Sequence, residues 1–576
     1  MLDEARRRKH ATAGSARSEA RESSGRGLSA LSSRREPYQH FLAGTFTPTS
    51  CREPSLQSQT ERQSVAFITI PPLESEVAES ERKRVDMTTG SIAPKLLVLA
   101  YPLVLGNLLQ TFYNLADMFW VGRVSPDAVG AVSLMFPLTW MFVSTAMGIT
   151  AATIALVSQY VGAGDDRQAD RVVAQTILLT IAVSVTLAAL GWTFRHELLS
   201  TMGAEGQVFV EALDYIEVIF FALPLTFLFF AFRASLQGAG DTKTAMWLML
   251  GSAGLNVVLD PFLILGWGPF LAMGTRGAAW ATFAARAFVT AAGVGILLRG
   301  GFGVKLHPRD LVPDPAILKK LVDVGYPATI DGWARSFAAV AMASFVTPFG
   351  TAAIAAYGIG VRLMSVSWSV AGAVGQATST GVGQNIGANT PDRAARVTWV
   401  ATAATMGFLF AAAAVCVAFP RFMMGIFVDD PEVIEEGVTF LYYIAPFWAF
   451  FGGTMVIQGA FRGAGQTKVA MALSFLSRWV FRIPVALGLA FSTLAIPGTA
   501  IAVEGLGIGV VGIWAAFSVG AFASFVLAVF WFRLGRWTEG VIEDDAGSGG
   551  EVGEVDGEPD VEERGPVGGS EFDVED

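Results

Sequence analysis

Apolar residues in this chain run in long unbroken blocks separated by short polar clusters. Twelve blocks can be marked, at about 95–120, 130–158, 172–194, 213–235, 244–266, 277–299, 319–347, 353–382, 395–420, 438–461, 469–491 and 508–533. Each is long enough to cross a bilayer, since a helix needs roughly 20 residues to span about 30 Å of hydrocarbon. The polar clusters between them alternate in charge. One set carries Arg167/Arg171, Lys243, Arg299/Lys305/Arg309/Lys319/Lys320, Arg393/Arg396, Arg462/Lys468 and Arg533/Arg536. The other carries Glu205/Glu211/Asp214, then Asp429/Asp430/Glu432/Glu435/Glu436, then Glu504. Lys and Arg mark the cytoplasmic side, so both termini are expected inside, as an even helix count requires.

Composition adds the flanks. Only 16% of the 576 residues are charged and the mean hydropathy is +0.49, against about 25% charged in a soluble domain. The net charge of −10 sits in the tail, where 539–576 hold 15 Asp/Glu and one Arg. Residues 1–86 are rich in Ser, Arg, Glu and Gln and are too polar to offset their ordering entropy, so they and the acidic tail are expected to be disordered. The expected division is 1–86 as an extension, 87–300 as a first six-helix lobe, 301–318 as a cytoplasmic linker, 319–538 as a second lobe and 539–576 as the tail. Met87 directly precedes the first block, and we read it as the true start; detection of a peptide from within 1–86 would sink that reading. Cys51 and Cys416 form neither a disulfide framework nor a metal-ligand spacing. With four scattered histidines and no nucleophile constellation, an intramembrane enzyme is disfavoured.

The chain repeats itself at an offset of 225. Tyr101-Pro102 returns as Tyr326-Pro327. The run Val157-Ser-Gln-Tyr-Val-Gly-Ala-Gly164 returns as Val382-Gly-Gln-Asn-Ile-Gly-Ala-Asn389, and Gly238-Ala-Gly-Asp-Thr-Lys243 as Gly463-Ala-Gly-Gln-Thr-Lys468. Six helices per repeat is an even number, so both halves enter from the same side. The expected fold is an all-α membrane protein of twelve transmembrane helices, in two six-helix bundles related by a pseudo-two-fold axis along the membrane normal, with a cavity between them. The two Gly-Ala-Gly-x-Thr-Lys loops lack the spacing of a phosphate cradle and read as tight turns.

Polar groups inside an apolar block are costly and usually face a cavity or a partner. Gln110, Tyr113, Asn114 and Asp117 share one face of the first helix. Asn256 and Asp260 share a face of the fifth, just before Pro261. Asp117 lies roughly 33 Å along its helix from Lys95, and Asp260 roughly 26 Å from Lys243, at 1.5 Å per residue, which puts both carboxylates in the outer half. Such a set supplies hard oxygen ligands for Na⁺, or a carboxylate pair that takes up a proton. The bland alternative is a pair of helix-end carboxylates at the outer water interface. The second half does not copy the set: Asp117 corresponds to Met342 and Asp260 to Val485. It carries Asp331 and Arg335, four apart and expected to form an internal ion pair, and Arg478 and Arg482 as candidate cavity residues.

Together these motifs resemble the multidrug and toxic compound extrusion family, in its bacterial and archaeal antiporter branches. The carrying residues are Tyr101-Pro102, Asp117-Met-Phe-Trp-Val-Gly122, Gln159-Tyr-Val-Gly-Ala-Gly164, Gly238-Ala-Gly-Asp-Thr-Lys243, Asn256-x-x-x-Asp260-Pro261 and Gly277-Ala-Ala-Trp-Ala-Thr282, within about 90–535. The resemblance implies export of organic cations, drugs or amphipathic metabolites in exchange for Na⁺ or H⁺. It implies a cation site at Asp117, Asn256 and Asp260, cavity-lining Gln110, Tyr113 and Tyr215, and a bend at Pro102. Where that branch carries amides in its fourth helix, this chain has Phe230 and Arg233. The implied partners are a small organic substrate and the bilayer of the cell membrane. No nucleic acid, no cofactor beyond the coupling ion and no second subunit are expected. A flippase for lipid-linked sugars, from the same broad superfamily, is the competing reading.

Overall fold

The computed structural model describes residues 84–495 and 502–542. The stretches 1–83 and 543–576, which make up nearly all of the expected extension and tail, lie outside the described residues. Each apolar block is the interior of a helix that starts and stops in the polar cluster beside it. The first lobe holds α1 (Ile92–Val121), α2 (Pro126–Gly162), α3 (Asp166–Thr193), α4 (Gly206–Gly238), α5 (Thr242–Leu265) and α6 (Gly274–Arg299). The second holds α7 (Pro315–Val346), α8 (Thr351–Gly387), α9 (Pro391–Ala418), α10 (Pro431–Gly463), α11 (Thr467–Ala490) and α12 (Val510–Arg533). Eleven of these are apolar enough to cross a membrane on length and composition. The remaining one, α7, is 32 residues long and carries Lys319, Lys320, Asp323, Asp331 and Arg335.

Most helices outrun their apolar blocks because capping residues extend them into the polar clusters. Ser125 accepts from the Ala128 N–H at 3.0 Å, Asp165 from Gln168 at 3.0 Å and Asp314 from Ala316 at 3.0 Å, satisfying the orphan donors of a first turn. Two short helices the hydropathy pattern misses, Arg195–Thr201 and Pro420–Gly425, start one repeat apart. Strand pairing among the described residues is confined to a hairpin, Thr493–Ala495 with Ala502–Glu504, between α11 and α12.

The packing obeys the repeat. Within the first lobe α1 packs on α5, α2 on α4, α4 on α6 and α5 on α6; within the second, α7 packs on α11, α8 on α10, α10 on α12 and α11 on α12. Between lobes, α2 packs on α7, α8 on α1, and α2 on α8. This is the pseudo-two-fold expected of two bundles threaded from one side.

The described contacts between lobes concentrate toward the basic side, where both ends of the described chain also lie. Asn107 donates to the Ser369 carbonyl at 3.2 Å, and Trp333 to the Met141 carbonyl at 3.2 Å. Nearer the basic end, α2 and α8 meet backbone to backbone: a Cβ on Gly162 would lie 2.0 Å from the Gln384 carbonyl oxygen, and one on Gly387 1.9 Å from that of Gln159. The repeated glutamines also hold the chain ends. Gln384 Oε1 accepts from the Met87 N–H at 2.9 Å, and Gln159 Oε1 from the Val541 N–H at 3.0 Å. Arg84 to Met87, which straddle the expected boundary of the extension, are packed here: Val85 donates to the Gly240 carbonyl at 3.2 Å, and Met87 is fully buried.

Both Gly-Ala-Gly-x-Thr-Lys loops are tight turns. Gly240 (φ +92°) and Gly465 (φ +80°) take the left-handed conformation that ends one helix before the next begins, a conformation with little cost only for Gly. The linker is tied to α3. The Lys305 N–H donates to Asp170 at 2.6 Å, and Gln175 donates to the Asp310 and Val312 carbonyls at 2.8 and 2.7 Å. Asp310 also pairs with Arg167, and that hydrogen bond holds its carboxyl below the usual carboxylate range.

A candidate cation site in the first lobe

The site is built where α1, α5 and α6 come together. Asn256 and Asp260 lie on the inner face of α5, 2% and 0% exposed. Pro261 follows directly, and because proline has no N–H it leaves the Val257 carbonyl without its helical donor. The Asn256 amide, turned with its nitrogen toward the carboxylate, donates to Asp260 Oδ2 at 3.2 Å and accepts from the Thr282 N–H at 3.0 Å. Thr282 Oγ1 lies 3.2 Å from the Tyr113 hydroxyl, so one residue of α6 joins α1 to α5.

Asp117 sits on the same side of the lobe, within electrostatic reach of Asp260, Tyr113 and Tyr215. Tyr215 is buried on α4. Asp117 Oδ1 and Asp260 Oδ1 are both buried with no hydrogen-bond partner. A carboxylate oxygen in that position costs free energy unless a cation or a proton meets it. Among the described residues no three His, Cys, Asp or Glu side chains converge as a metal site. The oxygens free to meet a cation are the Oδ1 atoms of Asp117 and Asp260, with the Asn256 amide holding the Asp260 carboxylate in place; such hard donors suit Na⁺ or a proton rather than a transition metal.

Not every residue expected here is enclosed. Gln110 donates to Asn114 at 3.0 Å along α1, and Asn114 is exposed. Pro102 is buried inside α1, which stays one assigned helix from Ile92 to Val121.

The chain pattern left two members of the site unremarked. Thr282, at the end of the Gly277-Ala-Ala-Trp-Ala-Thr282 motif, is one. Arg286, one turn further along α6, is 8% exposed, donates to Ser252 at 3.2 Å and lies over the Phe229 ring at 4.4 Å. An ionisable residue in the middle of an apolar block was the signal. Arg233, noted as a departure, donates to Gln376 across the lobe interface at 3.4 Å.

In the second lobe Asp331 pairs with Arg335 at 3.4 Å and also with Arg462 at 3.4 Å. Arg462 lies in a polar cluster of the chain, yet α10 runs on to Gly463 and its guanidinium meets Asp331 of α7. Arg478 donates to the Ser474 carbonyl at 3.2 Å. Arg482 is buried over the Phe517 ring at 4.3 Å.

The MatE family model matches this chain twice, over residues 102–262 and 327–487. The two matches start and end one repeat apart and together cover more than half of the chain. The chain belongs to the MatE family of efflux transporters. It is thus a multi-pass membrane transporter. Among relatives of this MATE protein, "Probable multidrug resistance protein YoeA" of Bacillus subtilis (strain 168) is 28% identical over 458 residues, 78% of this chain and 94% of that one. "Probable multidrug resistance protein NorM" of Thermotoga maritima is 28% identical over 77% of this chain and 93% of its own. The "FAD transporter" of Shewanella oneidensis is 27% identical over 62% and 78%. A solved MOP superfamily transporter from Pyrococcus furiosus and a solved outward-facing multidrug resistance MATE transporter each share the fold. Each has a TM-score of 0.70 at 23% identity, over 79% of this chain and 97% of theirs.

Proposed function

We propose that this MATE transporter is a cation-coupled antiporter of the cell membrane that exports organic cations, drugs or amphipathic metabolites by alternating access. Na⁺ or H⁺ enters at Asp117, Asn256 and Asp260. The observation that carries this reading is the pair of buried, unpartnered carboxylate oxygens in one lobe and their absence from the repeat-related positions of the other. Two buried like charges in one low-dielectric lobe favour uptake of a cation. The multidrug-resistance names of the relatives support the substrate class. With Lys and Arg marking the cytoplasm, both ends of the chain are inside, and the lobes, joined toward the basic side, stand in an outward-facing state. Cation entry would reduce the negative charge at the two carboxylates and bias the equilibrium toward the opposite state; a ligand shifts such an equilibrium only by its differential affinity for the two states.

The test is ethidium export from proteoliposomes under a Na⁺ gradient alone and, separately, a H⁺ gradient alone. We expect export under at least one gradient and none without either. Equal dye movement in all three conditions would sink the coupling.

A further inference from the structure

The two lobes contain corresponding recesses that differ at their repeat-related positions, although Arg286 also borders the first. In the first, Gln110, Ser252 and Ala253 border about 220 Å³ of space, part of it open to solvent, beside Asn256. In the second, the residues one repeat later, Arg335, Ser477 and Arg478, border about 270 Å³ of similarly part-open space between α7, α10, α11 and α12. The shared scaffold has placed an amide and an alanine in one lobe and two guanidinium groups in the other.

Charge in the second recess does not balance. Asp331 is approached by both Arg335 and Arg462 at 3.4 Å, and Arg478 lies within electrostatic reach of all three. One carboxylate against three guanidinium groups leaves an excess of two positive charges inside a membrane bundle, where charges normally pair. Beside Phe451 and Met455, the rest of the wall carries four buried polar groups: Thr454, Gln458, Ser477 and Ser524 are 4%, 5%, 4% and 0% exposed. The four polar groups can hydrogen-bond an oxyanion, and Phe451 and Met455 offer apolar contact to the rest of an amphipathic molecule.

The backbone of α11 is specialised at the same place. Leu476–Arg482 form a π-helical stretch, which Pro484 explains, since its ring displaces the carbonyl four residues earlier and supplies no N–H. Such stretches re-aim side chains and are frequent at functional sites. This one carries both Ser477 and Arg478.

We propose that the second-lobe recess binds the anionic group (carboxylate, sulfonate or phosphate) of an amphipathic substrate, with Arg478 and Arg335 as the contacts. The transported class then includes zwitterions and organic anions and is not restricted to cations. Guanidinium groups suit this role because their planar fork matches an oxyanion two bonds at a time. The proposal rests on the transport reading above and fixes one end of the substrate.

The test uses rhodamine B, which has a free carboxylate, and its ethyl ester, which does not. Both are titrated against the full chain in nanodiscs of phosphatidylcholine alone, so that no anionic lipid competes. We expect wild type to bind the free acid about tenfold more tightly than the ester. Arg478→Gln should erase that preference and Arg478→Lys should keep part of it. Equal wild-type affinity for the two dyes would overturn the proposal, whatever the variants do. So would an equal loss for both dyes in Arg478→Gln, which would mark a packing role. Failure of gradient-driven export with the acid-over-ester preference intact would instead count against coupling alone.

Discussion

Asp260→Asn should lower gradient-driven ethidium export by roughly two orders of magnitude while the protein still folds. Asp260 is fully buried, carries one unpartnered oxygen and accepts the Asn256 amide on the other. Asn keeps the volume and most of the hydrogen bonding but removes the charge. A cation about 4 Å from a carboxylate gains about 4 kcal/mol at an effective dielectric near 20, and a hundredfold loss corresponds to about 2.7 kcal/mol, so the stated effect needs only part of that attraction. Asp117→Asn should act in the same direction. The measurement is initial export rate at a fixed imposed gradient, with thermal unfolding in detergent as the folding control. Wild-type rates in both variants would remove the cluster from the mechanism.

The second large effect lies at the seal between lobes. Gly387→Ala would put a methyl group 1.9 Å from the Gln159 carbonyl oxygen, and Gly162→Ala one 2.0 Å from that of Gln384. Both neighbours are backbone, so relief requires the ends of α2 and α8 to part. A cysteine at Thr380, which is fully buried and bonds the Gln237 carbonyl across the interface at 3.2 Å, reports this in a chain with Cys51 and Cys416 replaced. We expect its labelling by an impermeant maleimide from the basic side to rise about tenfold in Gly387→Ala, the change a population shift of about 1.4 kcal/mol produces. Export should fall in step. Gly251→Ala, which meets nothing within 4 Å, is the control expected to leave both unchanged. Unaltered labelling in Gly387→Ala would show that the seal does not depend on that approach.

The chain pattern and the packing contribute differently to this site. Asn256 and Asp260 share a face because a helix repeats every 3.6 residues, which any reader of the chain can count. Asp117 joins them only because α1 packs on α5, and Thr282 bonds Tyr113 and Asn256 only because α6 closes on both helices. These distances depend on how ridges on separate helices interlock, and no local spacing encodes that. Arg462 shows the same limit from the other direction: beside a loop in the chain, it is turned by one more helical turn onto Asp331 of another helix.

By itself, then, the order of residues determined twelve helices, the repeat of 225, the pseudo-two-fold and the restriction of the Asp117, Asn256 and Asp260 set to one half. Hydrocarbon thickness and helical periodicity act locally, so they can be read along a single dimension. Only the tertiary structure decided that α2 and α8 meet through paired glycines, that Gln159 and Gln384 each hold one end of the chain, and that the second lobe gathers three arginines around one aspartate. Those outcomes depend on close packing between helices distant in sequence, where a tenth of a nanometre decides between contact and clash.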